Sequence, residues 1–180
     1  MIAPVFVDTN VFVYASDNRE TIKQALAEQW LERLWREQCG RTSVQVLNEC
    51  YWTLTHKVRP ALPANDAWDI VQSLFQWNPQ TIDIDVLRRS REIERRYRLA
   101  WWDSLIVGSA QAQNCPLLLS EDLQDGAVYS GVTVRNPFKI GVSEATTEYA
   151  LTPAATRQHR SRGRPKRRAM MHAATPGGFE

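Results

Sequence analysis

The stretch VFVDTNVFVYA, from Val5 to Ala15, constrains the fold most, because an apolar run gives way to a helix-start signal within three residues. The short apolar run before Asp8 is typical of a buried strand. Thr9 or Asn10 can cap the helix that follows, since their side-chain oxygens accept hydrogen bonds from the first turn. A strand that passes directly into a helix predicts an α/β unit with a carboxylate at the carboxyl end of the strand.

The rest of the chain, to about Phe138, alternates helical and strand-like segments. Apolar residues recur at helical spacing in most of them, and short apolar or alternating runs predict the strands. The expected helices begin near Thr21, Thr42, Asn65, Val86 and Ala100, and the expected strands are APVFVD, TIDID, LLLS and GVTVRNP. This order predicts an α/β fold with a central, mostly parallel sheet flanked by helices on both faces.

Charge is distributed unevenly along the chain. Seven of the 22 Lys and Arg residues lie between Arg157 and Arg168, and only one of the 20 acidic residues follows them. Residues 1–156 therefore carry 15 basic and 19 acidic groups, a formal charge of −4. We expect one folded domain over residues 1–142 and a basic, disordered tail over residues 143–180.

The cysteines and the lengths of the apolar runs restrict the class of protein. Cys39, Cys50 and Cys115 are odd in number and widely spaced, which favours neither a disulfide framework nor a zinc knuckle. No apolar run reaches the roughly 20 residues needed to cross a bilayer, and the first ten residues lack a basic signal-like segment. We therefore expect a cytoplasmic protein with no membrane association.

Several acidic side chains fall where this fold can bring them together. Ligands of open α/β sheets bind outside the carboxyl ends of the strands, and both Asp8 and Asp122 follow predicted strands at that edge. Asp103 begins a helix that arrives from the same edge, and Glu49 lies about two turns into another. Asp125 lies one turn beyond Asp122. Taken singly, each acid is an ordinary capping, turn or surface residue.

Such carboxylates would repel one another strongly in a cleft of low dielectric constant, and burial without compensation costs several kcal/mol or more. A divalent cation resolves the conflict. Mg²⁺ and Mn²⁺ prefer oxygen ligands, and such a centre can activate water and orient a phosphodiester. The combination of acids therefore favours hydrolytic nuclease chemistry.

Four stretches together resemble a PIN domain, in particular the ribonuclease toxins of VapBC-type toxin–antitoxin modules. They are VFVDTNVFVYA, SVQVLNECYWTL, WWDSLIVGSAQAQNCPLLLSEDLQDG and VTVRNPF, which span Pro4 to about Phe138. The resemblance implies a PIN-like fold with a metal-binding, catalytic group of acids, residues that support it, and one auxiliary acid. The metal-binding and catalytic acids are Asp8, Glu49, Asp103 and Asp122, the supporting residues are Thr9, Asn10 and Ser120, and the auxiliary acid is Asp125.

The resemblance also implies Mg²⁺ or Mn²⁺ as cofactor, RNA as substrate, a homodimer, and inhibition by a small antitoxin protein. We therefore expect a metal-dependent endoribonuclease that acts as the toxin of a type II system. The alternatives are a DNA nuclease or phosphatase that uses the same acids, and a non-catalytic RNA-binding PIN module. Apolar residues in the helical segment from Asn65 to Tyr97 predict a surface for the second copy or the antitoxin. The basic tail is not part of the usual family pattern.

Overall fold

A computed structural model describes residues 2–139, so the end of the expected domain and the basic tail lie outside the described residues. Within these residues, five strands form one sheet, and six helices and a 3₁₀ turn connect them. The strands are β1 (Val5–Val7), β2 (Gly40–Arg41), β3 (Leu117–Leu119), β4 (Val128–Tyr129) and β5 (Val132–Arg135). The helices are α1 (Thr9–Ala15), α2 (Thr21–Arg36), α3 (Val44–His56), α4 (Ala64–Ser73), α5 (Ile84–Tyr97) and α6 (Trp101–Ala112), with the 3₁₀ turn at Leu74–Trp77.

The order of the strands is β2-β1-β3-β5-β4, and only β4 runs antiparallel to its neighbour. This confirms the predicted mostly parallel sheet between helices. β1 and β3 lie side by side in register, so Val7 pairs with Leu119, and the Asp8 N–H donates to the Leu119 carbonyl at 3.0 Å. The first residues after these two strands, Asp8 and Ser120, are therefore brought together by the sheet itself.

The predicted strand TIDID is wrong. Asp83 caps α5, because its side chain accepts a hydrogen bond from the Val86 N–H at 2.9 Å, and the helix begins at Ile84. The alternation of Ile82 and Ile84 suggested a strand with one buried face, yet both side chains are exposed. The two-residue strands β2 and β4 were not predicted, because two residues are too few to show a hydrophobic period.

Close packing of α5 against α6 fixes the position of the helix that carries Asp103. A Cβ at Gly108 would collide with the hydroxyl of the fully buried Ser90 on α5. At Gly108 the close neighbour of α6 is therefore α5. A larger residue there would displace Ser90, whose hydroxyl occupies the space beside Gly108.

The described residues also bear on the expectations about cysteines and membranes. Cys39, Cys50 and Cys115 are buried free thiols, and a buried free cysteine packs as a small apolar residue. Between residues 2 and 139, no helix combines the length and the hydrophobicity that crossing a bilayer requires.

Candidate functional site

Asp8 lies at the carboxyl end of β1, where its side chain also caps α1. It is 7% exposed. One carboxylate oxygen accepts a hydrogen bond from the Thr9 N–H at 2.7 Å, and the other accepts one from Ser120 Oγ at 2.7 Å. Burial raises the pKa of Asp8 from 3.8 to about 6; these hydrogen bonds oppose the rise, and the charges of Asp122 and Glu49 add to it. Ionisation of Asp8 therefore costs free energy in the fold, and the hydrogen bonds from Thr9 and Ser120 reduce this cost.

Asp122 reaches the same edge through the loop that follows β3. Its N–H donates to Ser120 Oγ at 3.2 Å, so the hydroxyl of Ser120 contacts both Asp8 and the backbone of Asp122. Asn10 Nδ2 donates to the Asp122 carboxylate at 3.3 Å. The structure thus places Asn10 and Ser120, two residues predicted to support the acids, in direct contact with them.

Glu49 approaches from α3, which begins after its cap at Ser43. Thr9 Oγ1 donates to Glu49 Oε2 at 2.9 Å, and Gln45 Nε2 donates to Glu49 Oε1 at 2.9 Å. The same amide of Gln45 lies 3.3 Å from the Trp102 carbonyl at the start of α6. Gln45 therefore joins the two helices that carry acids. It was not predicted, although its spacing of four residues from Glu49 places both on one helix face.

Asp103 lies in the first turn of α6 and is half-buried. Burial is the largest cause that raises its pKa, and the charges of Asp122 and Glu49 raise it further. The same two carboxylates act on Asp8. Asp122 and Glu49 are therefore close enough for their charges to raise the pKa of both Asp8 and Asp103, so the four acids predicted from separate segments lie near one another at one edge of the sheet.

Asp125 has different neighbours from the four acids. Its carboxylate accepts a hydrogen bond from the Asn136 N–H at 2.9 Å and lies 3.4 Å from Arg135 Nε. These contacts join the loop after β3 to the end of β5. Asp125 thus has a structural role in the described fold, and its part as an auxiliary acid stays a prediction.

Lys23 on α2 anchors the loop that carries Asp122. Its ammonium group lies 2.5 Å from Glu121 Oε1, and 3.0 Å from the hydroxyl of Tyr14. The same group lies 4.3 Å from the centre of the Tyr14 ring, within the range of a cation–π contact. The sequence does not reveal this link, because Lys23 and Glu121 are 98 residues apart.

The chemistry of the donors at this edge fits a hard divalent cation. The four acids supply carboxylate oxygens, and two further buried side-chain oxygens, Asn10 Oδ1 and Gln45 Oε1, have no hydrogen-bond partner within residues 2–139. As the side chains are oriented, however, no three His, Cys, Asp or Glu residues of this part of the chain are arranged to hold one ion. Asp8, Glu49 and Asp122 point instead at protein donors. Coordination would therefore require the carboxylates to turn towards the ion, and each could keep its donor while doing so, because a carboxylate has two oxygens and about four lone-pair sites.

Comparison with known proteins gives one family and a set of similar folds. The family model described as "PIN domain" matches residues 5–124. The chain is similar in structure to DNA-bound VapBC from Salmonella typhimurium, with a TM-score of 0.55 and 14% sequence identity over 76% of this chain and 99% of that one. For VapBC2 from Rickettsia felis, bound to a DNA fragment from its promoter, the TM-score is 0.52 and the sequence identity is 18%, over 76% of this chain and 98% of that one. No curated protein matches in sequence.

Proposed function

Because the chain belongs to the PIN domain family, whose members are generally nucleases and typically use divalent metal ions, we propose that it is a Mg²⁺- or Mn²⁺-dependent endoribonuclease. The observation that carries this proposal is the convergence of four carboxylates on one sheet edge, where burial and the charges of Asp122 and Glu49 raise the pKa of Asp8 and Asp103. Buried like charges are costly unless a cation neutralises them. This edge is therefore suited to binding a metal ion and a phosphodiester together.

The residues that would hold the ion are Asp8, Glu49, Asp103 and Asp122. A bound Mg²⁺ or Mn²⁺ supplies Lewis acidity, which lowers the pKa of a water molecule and offsets charge on the reacting phosphate. The supporting residues keep the carboxylates in position: Ser120 holds Asp8, Thr9 and Gln45 hold Glu49, and Asn10 holds Asp122. Contacts of this kind orient the ligands of metal sites and raise metal affinity.

Digestion assays with purified protein test this proposal against its alternatives. The protein is treated with EDTA, and single-stranded RNA, DNA of the same sequence and a phosphate monoester are then offered with and without added Mg²⁺ or Mn²⁺. We expect RNA cleavage only with metal. Undiminished cleavage after thorough chelation contradicts the metal mechanism, and cleavage of DNA or of the monoester alone supports the other hydrolases. Binding of RNA and metal without turnover supports the non-catalytic module.

We further propose that the protein is the toxin of a type II toxin–antitoxin system, forms a homodimer, and binds a small antitoxin. Two of the similar structures are VapBC proteins. An exposed aromatic surface supports a protein partner: Trp68 of α4 and the following Phe75 are each about half exposed, with ring centres 6.0 Å apart. Leu74 and Trp77, which belong to the same apolar segment, are buried and complete the core instead.

Light scattering and copurification test the proposed partners. We expect the mass of a dimer, and a stable complex with the product of an adjacent small reading frame. A monomer at high concentration that binds no such product would contradict both. Because the apolar surface is on α4, substitution of Trp68 by Ala should weaken association without changing the acids.

The chain also holds a basic segment from Arg157 to Arg168, within the tail predicted over residues 143–180. We propose that this segment contacts RNA phosphates, because clustered Lys and Arg bind nucleic acid electrostatically. Removal of the residues after Leu151 should weaken RNA binding, and each lost contact should reduce the slope of log affinity against log salt by about 0.7. Equal slopes for the full and shortened chains would show that the tail does not hold the substrate. Loss of the wild-type circular dichroism spectrum on truncation would instead show that the folded domain extends beyond Leu151.

A further inference from the structure

Two aromatic rings form an exposed stack near the end of α3. The rings of Trp52 and His56 lie almost parallel, with centres 3.7 Å apart and an angle of 16° between their planes. Trp52 is 54% exposed, and His56 is exposed as well. The His56 ring is also held from its own side, because Nδ1 lies 2.7 Å from Thr55 Oγ1 and 3.2 Å from the Trp52 carbonyl. The flat surface therefore exists before any partner binds.

This stack continues the face of α3 that reaches the acids. Gln45, Glu49, Trp52 and His56 follow one another at intervals of four, three and four residues, which places them on one side of a helix. Gln45 is buried, Glu49 is half-buried, and Trp52 and His56 are exposed. Since a helix rises 1.5 Å per residue, the backbone of Trp52 is only about 4.5 Å further along the axis than that of Glu49. The aromatic surface is thus one turn away from the acidic edge.

The charge around this stack favours a nucleic acid over a protein helix. Residues 50–65, the segment between Glu49 and Asp66, contain Lys57 and Arg59 but no Asp or Glu, although residues 1–156 as a whole carry a net negative charge. Both cationic side chains are exposed. Flat aromatic rings beside cations are the combination with which proteins bind single strands, because every base has a π face and every nucleotide carries a phosphate.

Resting on the proposed nuclease function, we propose that Trp52 and His56 form a base-stacking subsite for single-stranded RNA, next to the acids that receive the scissile phosphate. One base lies on the exposed face of Trp52, which His56 supports from the other side. Lys57 and Arg59 contact the phosphates that flank this nucleotide. The subsite tolerates different bases, since stacking does not read hydrogen-bonding edges. It places the strand across the acids without taking part in hydrolysis.

A coupling experiment between protein and RNA tests this subsite. Short RNA strands, each with one abasic nucleotide at a successive position, are titrated into the full-length protein in EDTA, and gels after titration check that they remain intact. Trp52→Ala should weaken binding of the normal strand about 5- to 150-fold, the range that loss of one stacked base produces. One abasic position should weaken wild-type binding equally and cause no further loss in Trp52→Ala.

Two matched variants separate stacking from general hydrophobicity. Trp52→Phe keeps a ring and should retain most of the affinity, whereas Trp52→Leu keeps an apolar side chain without a π face and should behave like Trp52→Ala. Lys57→Ala should reduce the salt slope by about 0.7, the value for one phosphate contact with a single strand. Because Trp52 is exposed, all three substitutions at this position should keep the circular dichroism spectrum of the wild type.

The possible results distinguish the subsite from the nuclease proposal. Equal RNA affinity of wild type and Trp52→Ala overturns the subsite, and a simultaneous change of oligomeric mass would assign the surface to a protein partner. The subsite is also overturned if every abasic strand weakens wild-type binding to the same extent. Absence of RNA binding by the wild type overturns it as well. Coupling at one position supports the subsite, even if the same strands are not cleaved when Mg²⁺ or Mn²⁺ is added. In that case only the proposed hydrolysis fails.

Discussion

The two acids that follow strands are held differently from the two acids that lie on helices. Asp8 is buried, caps α1 and accepts hydrogen bonds from a backbone N–H and from Ser120. Asp103 is half-buried, and its carboxylate accepts no hydrogen bond from the residues between 2 and 139. Parallel pairing of β1 with β3 fixes the strand-end acids, whereas helix packing and the link through Gln45 place the helical ones. Asp8 is thus held in one orientation before a ligand binds, and Glu49 is held by Thr9 and Gln45. Among the described residues, the Asp103 carboxylate has no donor to leave when it turns towards a ligand.

The largest expected effect is a loss of RNA cleavage, and it should be the same for the strand-end acid Asp8 and the helical acid Asp103. Asp8→Asn and Asp103→Asn each remove a charged oxygen ligand at nearly constant size, so each should lower RNA cleavage at least about 100-fold. Glu28→Gln on the exposed surface of α2 is the matched control and should cleave normally. Digestion and circular dichroism should be measured on the same preparations. Normal cleavage by both site variants would refute the assignment of the acids.

The free energy of unfolding should distinguish the strand-end acid Asp8 from the helical acid Asp103. The pKa of Asp8 is about 6 in the fold against an ordinary 3.8, so the folded state binds this proton more tightly, and stability falls as pH rises between these values. In metal-free protein at pH 8, Asp8→Asn should therefore increase the free energy of unfolding by up to about 3 kcal/mol, at 1.36 kcal/mol per pKa unit. The amide can be accommodated because the Ser120 hydroxyl can also accept a hydrogen bond.

Urea unfolding at several pH values measures this effect. The advantage of Asp8→Asn over wild type should vanish near pH 4, where the Asp8 carboxyl is protonated in the fold. Asp103→Asn should give a smaller increase, since Asp103 is only half-buried and solvent screens its charge. An Asp8→Asn variant less stable than wild type at pH 8 would show that the carboxylate is needed for folding itself.

Substitution of the residues that hold the acids, Ser120 and Gln45, should have effects of intermediate size. Ser120→Ala and Gln45→Ala should each weaken Mn²⁺ affinity about 10- to 100-fold, as loss of contacts that orient metal ligands does. Ser120→Ala should also cost about 1–3 kcal/mol of stability, because it removes a donor from a buried carboxylate, and this loss should exceed that of Gln45→Ala, whose partner Glu49 is only half-buried. When Gln45 is removed, water can donate to the half-buried Glu49 carboxylate in its place. Calorimetric titration with Mn²⁺ and urea unfolding give the two quantities, and equal stability losses would remove the distinction.

The smallest effect is expected at Asp125, outside the group of four acids. Asp125→Asn keeps an oxygen for the Asn136 N–H and loses only the ion pair with Arg135. Partly exposed pairs of this kind contribute about 0–1 kcal/mol, so stability should change little and cleavage should remain. A loss of cleavage comparable to that of Asp8→Asn would restore Asp125 to the catalytic group.

What the sequence predicts follows the same division. Asp8 and Asp122 were expected at one edge because parallel strands end there, whereas Ser120 was named only through the resemblance to the PIN family. The structure brings the three residues together, and their roles in metal binding stay predictions. Asp103 and Glu49 depended on their place within helices and on the resemblance to the PIN family. Gln45 escaped prediction, since its second contact is a main-chain carbonyl at the start of α6 that only tertiary packing brings near.

The error at TIDID has a related cause. A period of two residues over five positions does not distinguish a strand from a loop that ends in a helix cap. Asp83 acts as that cap, and the following charged helix packs on α6 through Ser90 and Gly108. The length of the strands β2 and β4 likewise depends on their neighbours, because each exists only by pairing with a longer central strand.

The edges of the sheet have a consequence for behaviour at high concentration. Within the described chain, both edge strands, β2 and β4, are two residues long. Such short edges expose few unpaired main-chain groups to a strand from another molecule, which is a recognised protection against aggregation by edge pairing. Conversion to cross-β fibres through these edges is therefore disfavoured, and reversible self-association is left to the helices on the outside of the sheet.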